Sequence, residues 1–337
     1  MNNNINYIGS DIILTSVFIL FLQGLRDASG GLFDQFFMTC TGFGNIHIIL
    51  FLIGVLYWCY DKKLGEYLLV SMAVARIFNS FTKLTACVYR PWVTDPNIKP
   101  FEEALPDATG YSLPSGHATS SGILFLGTYL KGNVTKGLKI FAIICLLLIC
   151  FSRCYLGVHS LMDIVVGLII VLISLFIGSK IMDKLENNPK FDLIVLGAGF
   201  VLCIVLITYA TFKSYPMDYD SAGKLIVDPA KMALEAYKDS GFCLGILISW
   251  VIERRFIKFS SEGPLDRRIL RVGGAYLGYL VLMNILYPLI KTSLPPQIAN
   301  FLAFFMFPLY VVLIVPAIIK FFQNRHEDVY GDLHEQS

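Results

Sequence analysis

A short polar stretch separates two apolar runs in residues 140–176, which read IFAIICLLLICFSRCYLGVHSLMDIVVGLIIVLISLF. The polar stretch contains Arg153, His159 and Asp163, and ionisable groups at the edge of a hydrophobic layer are costly and usually functional. His159 and Asp163 are four residues apart, so on a helix they would share a face and the carboxylate could hold one imidazole nitrogen. This pattern is typical of an oriented nucleophile or base. A helix cap with ordinary membrane-edge charges is the alternative.

The rest of the chain is also strongly apolar. Of its 337 residues 55% are hydrophobic and only 15% are charged, and the mean hydropathy is +0.65. Several continuous runs approach the roughly 20 apolar residues that a membrane-spanning helix needs, and they lack the alternating polarity of barrel strands. We therefore expect an all-α fold, a polytopic bundle of transmembrane helices in contact with the lipid bilayer.

The net charge, the cysteine spacing and the first ten residues add little to the prediction of a helical membrane protein. The net charge of +2 gives no reason to expect a nucleic acid or acidic partner, because the charges lie in connections that membrane topology explains. The eight cysteines form no Cys-x-x-Cys pair and lie mostly in apolar runs, so they are interpreted as helix-packing residues. The Asn-rich residues 1–10 predict no removable signal peptide.

About nine spans are predicted, or ten if residues 11–25 cross the membrane. They cover roughly residues 45–60, 64–82, 115–131, 136–152, 159–181, 191–210, 241–257, 269–290 and 298–321. The connections rich in Lys and Arg, together with the C-terminus, are expected on the cytoplasmic side. The poorly basic connections at residues 83–113, 152–163, 211–240 and 291–297 are expected to face outward.

Two further polar clusters are expected beside the first. Lys83 and Arg90 lie seven residues apart where the second long helix ends, and Ser115, Gly116 and His117 begin the third. That helix and the next have about 17 residues each and rise roughly 25 Å. As a hairpin they leave one membrane face and return to it, which predicts that His117 and Arg153 lie at the same depth.

Three cations at a membrane edge predict an anionic ligand. The guanidiniums of Arg90 and Arg153 can grip phosphate oxygens in pairs, Lys83 adds a point charge, and the start of a helix at Ser115 and Gly116 adds free N–H groups. Taken singly, each residue has an ordinary alternative, such as a snorkelling lysine or a plain N-cap. Taken jointly, they favour phosphate binding.

Two histidines in such a site divide the work of phosphoryl transfer. His159, held by Asp163, can attack phosphorus and form a phosphohistidine. His117 can protonate the leaving oxygen and then activate water, while the three cations stabilise the transition state. No acidic or histidine cluster with metal-ligand spacing accompanies them, so we predict a reaction without metal ion or cofactor.

The three clusters resemble the motifs of the type 2 phosphatidic acid phosphatase superfamily, Lys-x6-Arg-Pro, Pro-Ser-Gly-His and Ser-Arg-x5-His-x3-Asp. Every fixed position is matched, and the matching residues are Lys83, Arg90, Pro91, Pro114, Ser115, Gly116, His117, Ser152, Arg153, His159 and Asp163. The resemblance implies a lipid phosphatase whose six-helix core covers residues 45–210. Residues 1–44 would precede it as an interfacial or re-entrant segment. An outward loop (211–240), added transmembrane helices (241–322) and a cytoplasmic tail (323–337) would follow, and the loop could be a lid or a connector.

The resemblance implies hydrolysis of lipid phosphate monoesters or pyrophosphates, and the distribution of Lys and Arg predicts that this site faces the extracytoplasmic side of the cell membrane. Three alternatives stay open: a lipid phosphotransferase with an acceptor other than water, a phosphatase of a small soluble phosphate ester, and a non-enzymatic channel, carrier or scaffold. Neither the head group nor the oligomeric state is indicated.

Some residues outside the motifs also carry expectations. Arg76, seven residues before Lys83, could pair with Asp27 or Asp34 near the site, or with an acid elsewhere in the bundle. Trp92 and Tyr111 could line a lipid entrance, though aromatic residues are common at membrane interfaces. The helices after residue 190 are expected to carry few buried charges.

Overall fold

The chain is almost entirely helical. The computed structural model describes residues 3–220 and 222–335, with side chains for residues 16–220 and 222–325. The helices are α1 (Asn3–Ala28), α2 (Asp34–Gly42), α3 (Ile46–Cys59), α4 (Lys62–Ala86), α5 (Pro91–Thr94), α6 (Gly116–Lys131), α7 (Lys136–Tyr155), α8 (Leu161–Asn187), α9 (Phe191–Phe212), α10 (Pro229–Ile252), α11 (Leu265–Val281), α12 (Tyr287–Ser293), α13 (Pro296–Leu309) and α14 (Val315–Glu335). Short π-helical segments cover Glu253–Ile257, Leu282–Leu286 and Tyr310–Ile314. Within the described residues, β pairing is limited to one isolated bridge, which confirms the all-α class.

Five helical stretches of the described chain are long and apolar enough to cross a membrane. They are Lys136–Tyr155, Leu161–Asn187, Phe191–Phe212, Leu265–Ser293 and Pro296–Arg325. Helices α2 and α3 are bent by 56° at a short break and would add a sixth span if counted as one. The chain is therefore a multi-pass membrane protein. The predicted nine or ten spans also require α4, α6 and α10, which do not meet the same length and hydropathy criterion, so that count stays a prediction. The prediction that no signal peptide is removed concerns residues 1–10, and the structure does not describe the side chains of these residues.

The chain divides into two compact units. The first comprises Met1–Ile49, Phe78–Ser174 and Tyr209–Ala233, and the second comprises Leu50–Ile77, Leu175–Thr208 and Leu234–Ser337. All three predicted motifs, from Lys83 to Asp163, therefore lie within the first unit.

The first unit is built around α6 and α7, which are joined by four residues and pack closely along their length. Their apolar faces share a buried cluster with α1 and α8 that includes Leu22, Ala118 and Leu146. Gly122 lets α6 approach α8, because a Cβ there would lie 2.6 Å from a methyl carbon of Val171. Both α1 and α2 also contact α7, so the N-terminal helices belong to the packed body of this unit.

Buried ion pairs link the helices of the second unit, so the expectation of few buried charges after residue 190 is wrong. The pairs are Lys62–Glu253, Arg254–Glu66 and Arg255–Asp192, each with a 2.6 Å contact, and Arg76–Asp239. Their acids are at most 7% exposed. A buried charge is tolerated only when it is paired, and each acid here has its partner on a different helix. Arg76 thus makes an interhelical pair with Asp239 rather than with Asp27 or Asp34.

Candidate active site

Asp163 holds His159 through one oxygen of its carboxylate. Nδ1 of His159 lies 3.2 Å from Oδ2 of Asp163, and both side chains are almost completely buried. The same Oδ2 accepts a hydrogen bond from the Ser160 backbone N–H at 2.7 Å and another from the Ser112 hydroxyl. His159 lies two residues before α8, so the expected helical face is not the reason for this contact. The turn before α8 and the Ser112 loop bring the two groups together.

Arg90 lies on the opposite side of the His159 ring. Its Nη1 is 2.9 Å from Nε2 of His159 and also donates to the carbonyl oxygen of Val158 at 2.9 Å. Its Nε and Nη2 donate to the carbonyl oxygens of Gly110 and Thr109 at 3.1 and 3.0 Å. Burial lowers the pKa of Arg90 to about 10, so the guanidinium stays charged at neutral pH. Backbone carbonyls therefore hold a full positive charge against the imidazole.

This contact determines the tautomer of His159. A guanidinium has only donors, so Nε2 must accept and the ring proton must sit on Nδ1, where it is donated to Asp163. Burial, followed by the positive charges of Arg90, Arg153 and Lys83, holds the pKa of His159 well below its usual range. The imidazole is therefore neutral and presents a lone pair at Nε2.

Arg153 is the most deeply buried cation of the first unit, with no exposed surface. Its Nη1 donates to the hydroxyl oxygen of Thr41 at 2.6 Å, whereas its Nε and Nη2 have no protein partner. A buried donor without a partner is costly. Two unpaired N–H sites on a buried guanidinium are what a binding site for an anion would provide.

His117 and Ser115 occupy the start of α6. Ser115 is the N-cap, since its hydroxyl oxygen accepts the N–H of Ala118 at 3.4 Å, and Gly116 follows as the first helical residue. His117 is half-buried, and its Nε2, which is shielded from solvent, has no protein partner. The charges of Arg153, Arg90 and Lys83 all act on the His117 ring. The helix start thus brings a second imidazole and the N-terminal N–H groups into the same charged region.

Lys83 lies in the last turn of α4, and its charge acts on both histidine rings. All eight predicted site residues, namely Lys83, Arg90, Ser115, Gly116, His117, Arg153, His159 and Asp163, therefore lie in one region of the first unit. Two contributors were missed. Ser112 and Thr41 belong to no motif, and no spacing in the sequence pointed to either hydroxyl.

The connection that follows α9 packs on the segment carrying Arg90. The Tyr89 hydroxyl donates to Asp218 at 2.6 Å, and Nζ of Lys213 lies 3.3 Å from Sγ of Cys87. Gly110 has a φ of +67°, and a side chain at this position would collide with Met232. These contacts place the connection beside the backbone carbonyl groups that hold the Arg90 guanidinium. A lid role for this connection stays a prediction.

The two aromatic residues that flank the motifs differ in burial, since Trp92 is half-buried, and their place at a lipid entrance stays a prediction. Tyr111 is completely buried, with its ring 5.7 Å from that of Tyr89, and Trp92 lies 5.9 Å from the Arg90 guanidinium carbon. No group of three or more His, Cys, Asp or Glu residues in the described chain is placed to hold a metal ion. Metal independence stays a prediction.

Comparison with family models gives two matches. The PAP2 superfamily model matches residues 65–186, and a model described as PAP2 superfamily phosphatase, transmembrane extension, matches residues 237–325. Together the two models match more than half of the chain. The first includes all eight predicted site residues, whereas Thr41 precedes it.

Three curated relatives show what the chain is similar to. Sphingosine-1-phosphate phosphatase 1 of Mus musculus is 27% identical over 190 residues, which are 53% of this chain and 43% of the relative. Lipid phosphate phosphatase delta of Arabidopsis thaliana is 26% identical over 175 residues, 48% of this chain and 42% of the relative. Undecaprenyl-diphosphatase of Sulfolobus acidocaldarius is 32% identical over 108 residues, 32% of this chain and 49% of the relative. The chain spans less than half the length of these relatives. The comparison with solved structures found no significant match.

Proposed function

We propose, from the premise that the chain belongs to the PAP2 superfamily, that it is a membrane phosphatase acting on lipid phosphate monoesters or pyrophosphates without a metal ion. The main support is that one site combines a neutral His159, held by a carboxylate, with the two buried guanidiniums of Arg90 and Arg153. The relatives, which include a lipid phosphate phosphatase and an undecaprenyl-diphosphatase, support a lipid phosphate as the substrate class.

In the first step, Nε2 of His159 attacks phosphorus in line with the leaving oxygen. The P–N bond forms as the P–O bond to the lipid breaks, and the product is a phosphohistidine. The proton on Nδ1 stays on the ring and is donated to Asp163, whose carboxylate stabilises the positive charge that develops on the imidazole. Phosphate oxygens take over the donors of Arg90, which releases the lone pair of Nε2 for the attack.

In both steps His117 moves a proton. The phosphate dianion offsets the surrounding positive charges when it binds, and His117 takes up a proton with it. His117 gives this proton to the lipid oxygen as the first P–O bond breaks, and it regains a proton from the water that attacks the phosphohistidine. The P–N bond breaks in this second step, inorganic phosphate leaves and His159 returns to its neutral form. Lys83, Arg90 and Arg153 stabilise the charge on the equatorial oxygens throughout, and the N–H groups at Ser115 and Gly116 add donors.

The proposed topology has nine or ten spans, with residues 45–210 as a six-helix core preceded by an interfacial or re-entrant segment at residues 1–44. The site and the 211–240 loop face outward at the cell membrane, helices in 241–322 are an addition, and the 323–337 tail is cytoplasmic. The distribution of Lys and Arg supports this orientation. A protease-cleavable tag inserted at residue 221 should be cut from outside intact cells, whereas a tag after residue 337 should be protected. The reverse pattern would invert the topology.

A substrate panel tests the activity. The purified protein would be given a long-chain phosphate monoester, a polyprenyl pyrophosphate and a small soluble phosphate ester, each with and without a chelator, and released phosphate would be measured. We expect release from the lipids, no effect of the chelator, and no release by His159→Ala. Loss of activity with chelator would contradict metal independence.

The same panel separates the alternatives. A second lipid that becomes phosphorylated without release of inorganic phosphate would indicate a phosphotransferase. Preference for the soluble ester would contradict a lipid phosphate as the substrate. No turnover of any substrate by protein that is folded by its thermal transition would favour a channel, carrier or scaffold.

A further inference from the structure

The junction between α2 and α3 reaches the site, although it precedes the residues that the PAP2 superfamily model matches. Thr41, in the last turn of α2, is 1% exposed, and its hydroxyl oxygen accepts the hydrogen bond from Nη1 of Arg153 at 2.6 Å. Gly44 follows it, and a Cβ there would lie 2.9 Å from Cδ2 of His117. One short segment thus contacts two of the predicted site residues.

Thr41 is placed by the packing of α2 on α7. The ring of Phe37 lies 4.3 Å from that of Tyr155 and 5.2 Å from that of Phe151. The Tyr155 hydroxyl donates to Asp34 at 3.0 Å. These contacts surround the turn of α7 that carries Arg153, so the position of the Thr41 hydroxyl relative to the guanidinium is defined by the helix pair. A mobile surface residue could not provide this.

The anchor of Arg153 is a neutral group, and this has an electrostatic consequence. A carboxylate in hydrogen-bond contact would offset the positive charge and would compete with an anionic ligand. A hydroxyl orients the planar guanidinium without offsetting its charge. Because Nε and Nη2 have no protein partner, the bond from Nη1 to Thr41 leaves two donor sites and the full charge for phosphate oxygens.

We propose that Thr41 is a positioning residue that orients Arg153 toward the phosphoryl group in the transition state. This inference rests on the proposed function and deepens it by adding a residue from the N-terminal segment to the site. A preorganised cation contributes mainly where charge develops, so Thr41 should affect kcat and the affinity for transition-state analogues more than it affects ground-state binding.

Three variants on α2 test the proposal. Thr41→Val removes the hydroxyl at similar volume, and Thr41→Ser retains it. Thr39→Val is the matched control, because the hydroxyl of Thr39 is exposed and donates only to its own helix at Gln35 O. Each variant would be measured for kcat and KM on the best lipid substrate, for binding of orthovanadate and inorganic phosphate, and for thermal unfolding.

We expect Thr41→Val to lower kcat about 10-fold to 100-fold, in line with the loss of a hydrogen bond to a charged group, with KM changed less than about 3-fold. Orthovanadate affinity should fall by a factor similar to that of kcat, and phosphate affinity should fall less. Thr41→Ser should restore most of the activity, and Thr39→Val should match the unaltered protein. In an Arg153→Met background, Thr41→Val should change orthovanadate affinity less than about 2-fold, because the effect acts through Arg153.

The outcomes separate this inference from the proposed function. If the unaltered protein hydrolyses lipid phosphates but Thr41→Val behaves like Thr39→Val, the positioning role is overturned and the function stands. If the unaltered protein binds orthovanadate without hydrolysing any substrate, the function fails, and weaker binding by Thr41→Val still supports the inference. If Thr41→Val and Thr41→Ser are equally impaired and equally unstable, Thr41 has only a structural role.

Discussion

Nη1 of Arg90 lies 2.9 Å from Nε2 of His159, on the side of the ring opposite to Asp163. The imidazole is therefore held between a cation and a carboxylate, with its proton on the carboxylate side and its lone pair on the cation side. A phosphate group that binds Arg90 must enter on the lone-pair side. The arrangement directs the substrate to the nitrogen that the proposed mechanism uses.

This arrangement predicts the acidic limb of the pH profile. Burial and the charges of Arg90, Arg153 and Lys83 hold the pKa of His159 well below its usual range, so the neutral nucleophile should persist as the pH falls below the ordinary value of about 6.5. We expect kcat/KM, corrected for the second ionisation of the substrate phosphate near pH 6, to stay constant from pH 7 to below 6. An acidic limb at or above pH 6.5 would contradict a neutral, buried His159.

His117 should show its role through the leaving group. We expect His117→Ala to lower turnover of an alkyl phosphate about 100-fold or more, and to affect an aryl phosphate with an acidic leaving group much less, because only the poor leaving group needs a proton in the transition state. Phosphoenzyme should also accumulate and be detectable after rapid quenching. Equal damage to both substrates would remove the general-acid assignment.

Ser112 should matter although it belongs to no motif. Its hydroxyl donates to Oδ2 of Asp163 and lies 3.4 Å from Nδ1 of His159. Ser112→Ala removes a hydrogen bond to a buried carboxylate, which is worth about 1.5–3 kcal/mol, and should lower kcat roughly 10-fold to 100-fold. Ser160→Ala is a useful comparison, since it keeps the backbone N–H bond to the same oxygen and removes only the hydroxyl that accepts the backbone N–H of Asp163 at 3.2 Å. Equal activity of Ser112→Ala and the unaltered protein would contradict an orienting role.

Gly44 should tolerate no side chain. A Cβ there would lie 2.8 Å from Cγ2 of Ile149 and 2.9 Å from Cδ2 of His117, so Gly44→Ala must displace the His117 ring. We expect turnover of alkyl phosphates to fall about 10-fold or more. Gly42→Ala is the matched control, since a Cβ at Gly42 meets nothing within 4 Å. Equal rates in the two variants would show that His117 does not depend on this contact.

Arg76 should affect stability rather than chemistry. Arg76→Met removes the cation that pairs with Asp239, which is 4% exposed, and breaking a buried ion pair costs about 3–5 kcal/mol. We expect a clear drop in the thermal transition with kcat retained in the folded fraction. Lys63→Met is the control, because its contact with Glu186 is 3.7 Å long and exposed and should contribute less than about 1 kcal/mol. An unchanged transition in Arg76→Met would contradict the pairing.

Much of the site could be anticipated from residue types and spacing. The motif residues near His159 carry charges that a membrane-edge segment would not otherwise retain, and the hairpin lengths predicted that His117 and Arg153 lie at one depth. The partners Thr41 and Ser112 could not be anticipated, because a single hydroxyl has no periodicity and forms contacts across about 50 to 112 residues of sequence. The partner of Arg76 was one of several acids, and only packing could select Asp239.

Composition and spacing alone identify this chain as an all-helical membrane protein and predict which side chains bind phosphate and transfer a phosphoryl group, because apolar length and the chemistry of residue types are local properties. Tertiary structure decided how those side chains are held. The tautomer of His159 depends on Arg90, the neutral anchor of Arg153 depends on Thr41, and the charges of the second unit depend on pairing between helices. Each of these is a hydrogen bond or ion pair between distant residues, and its geometry exists only once the helices have packed.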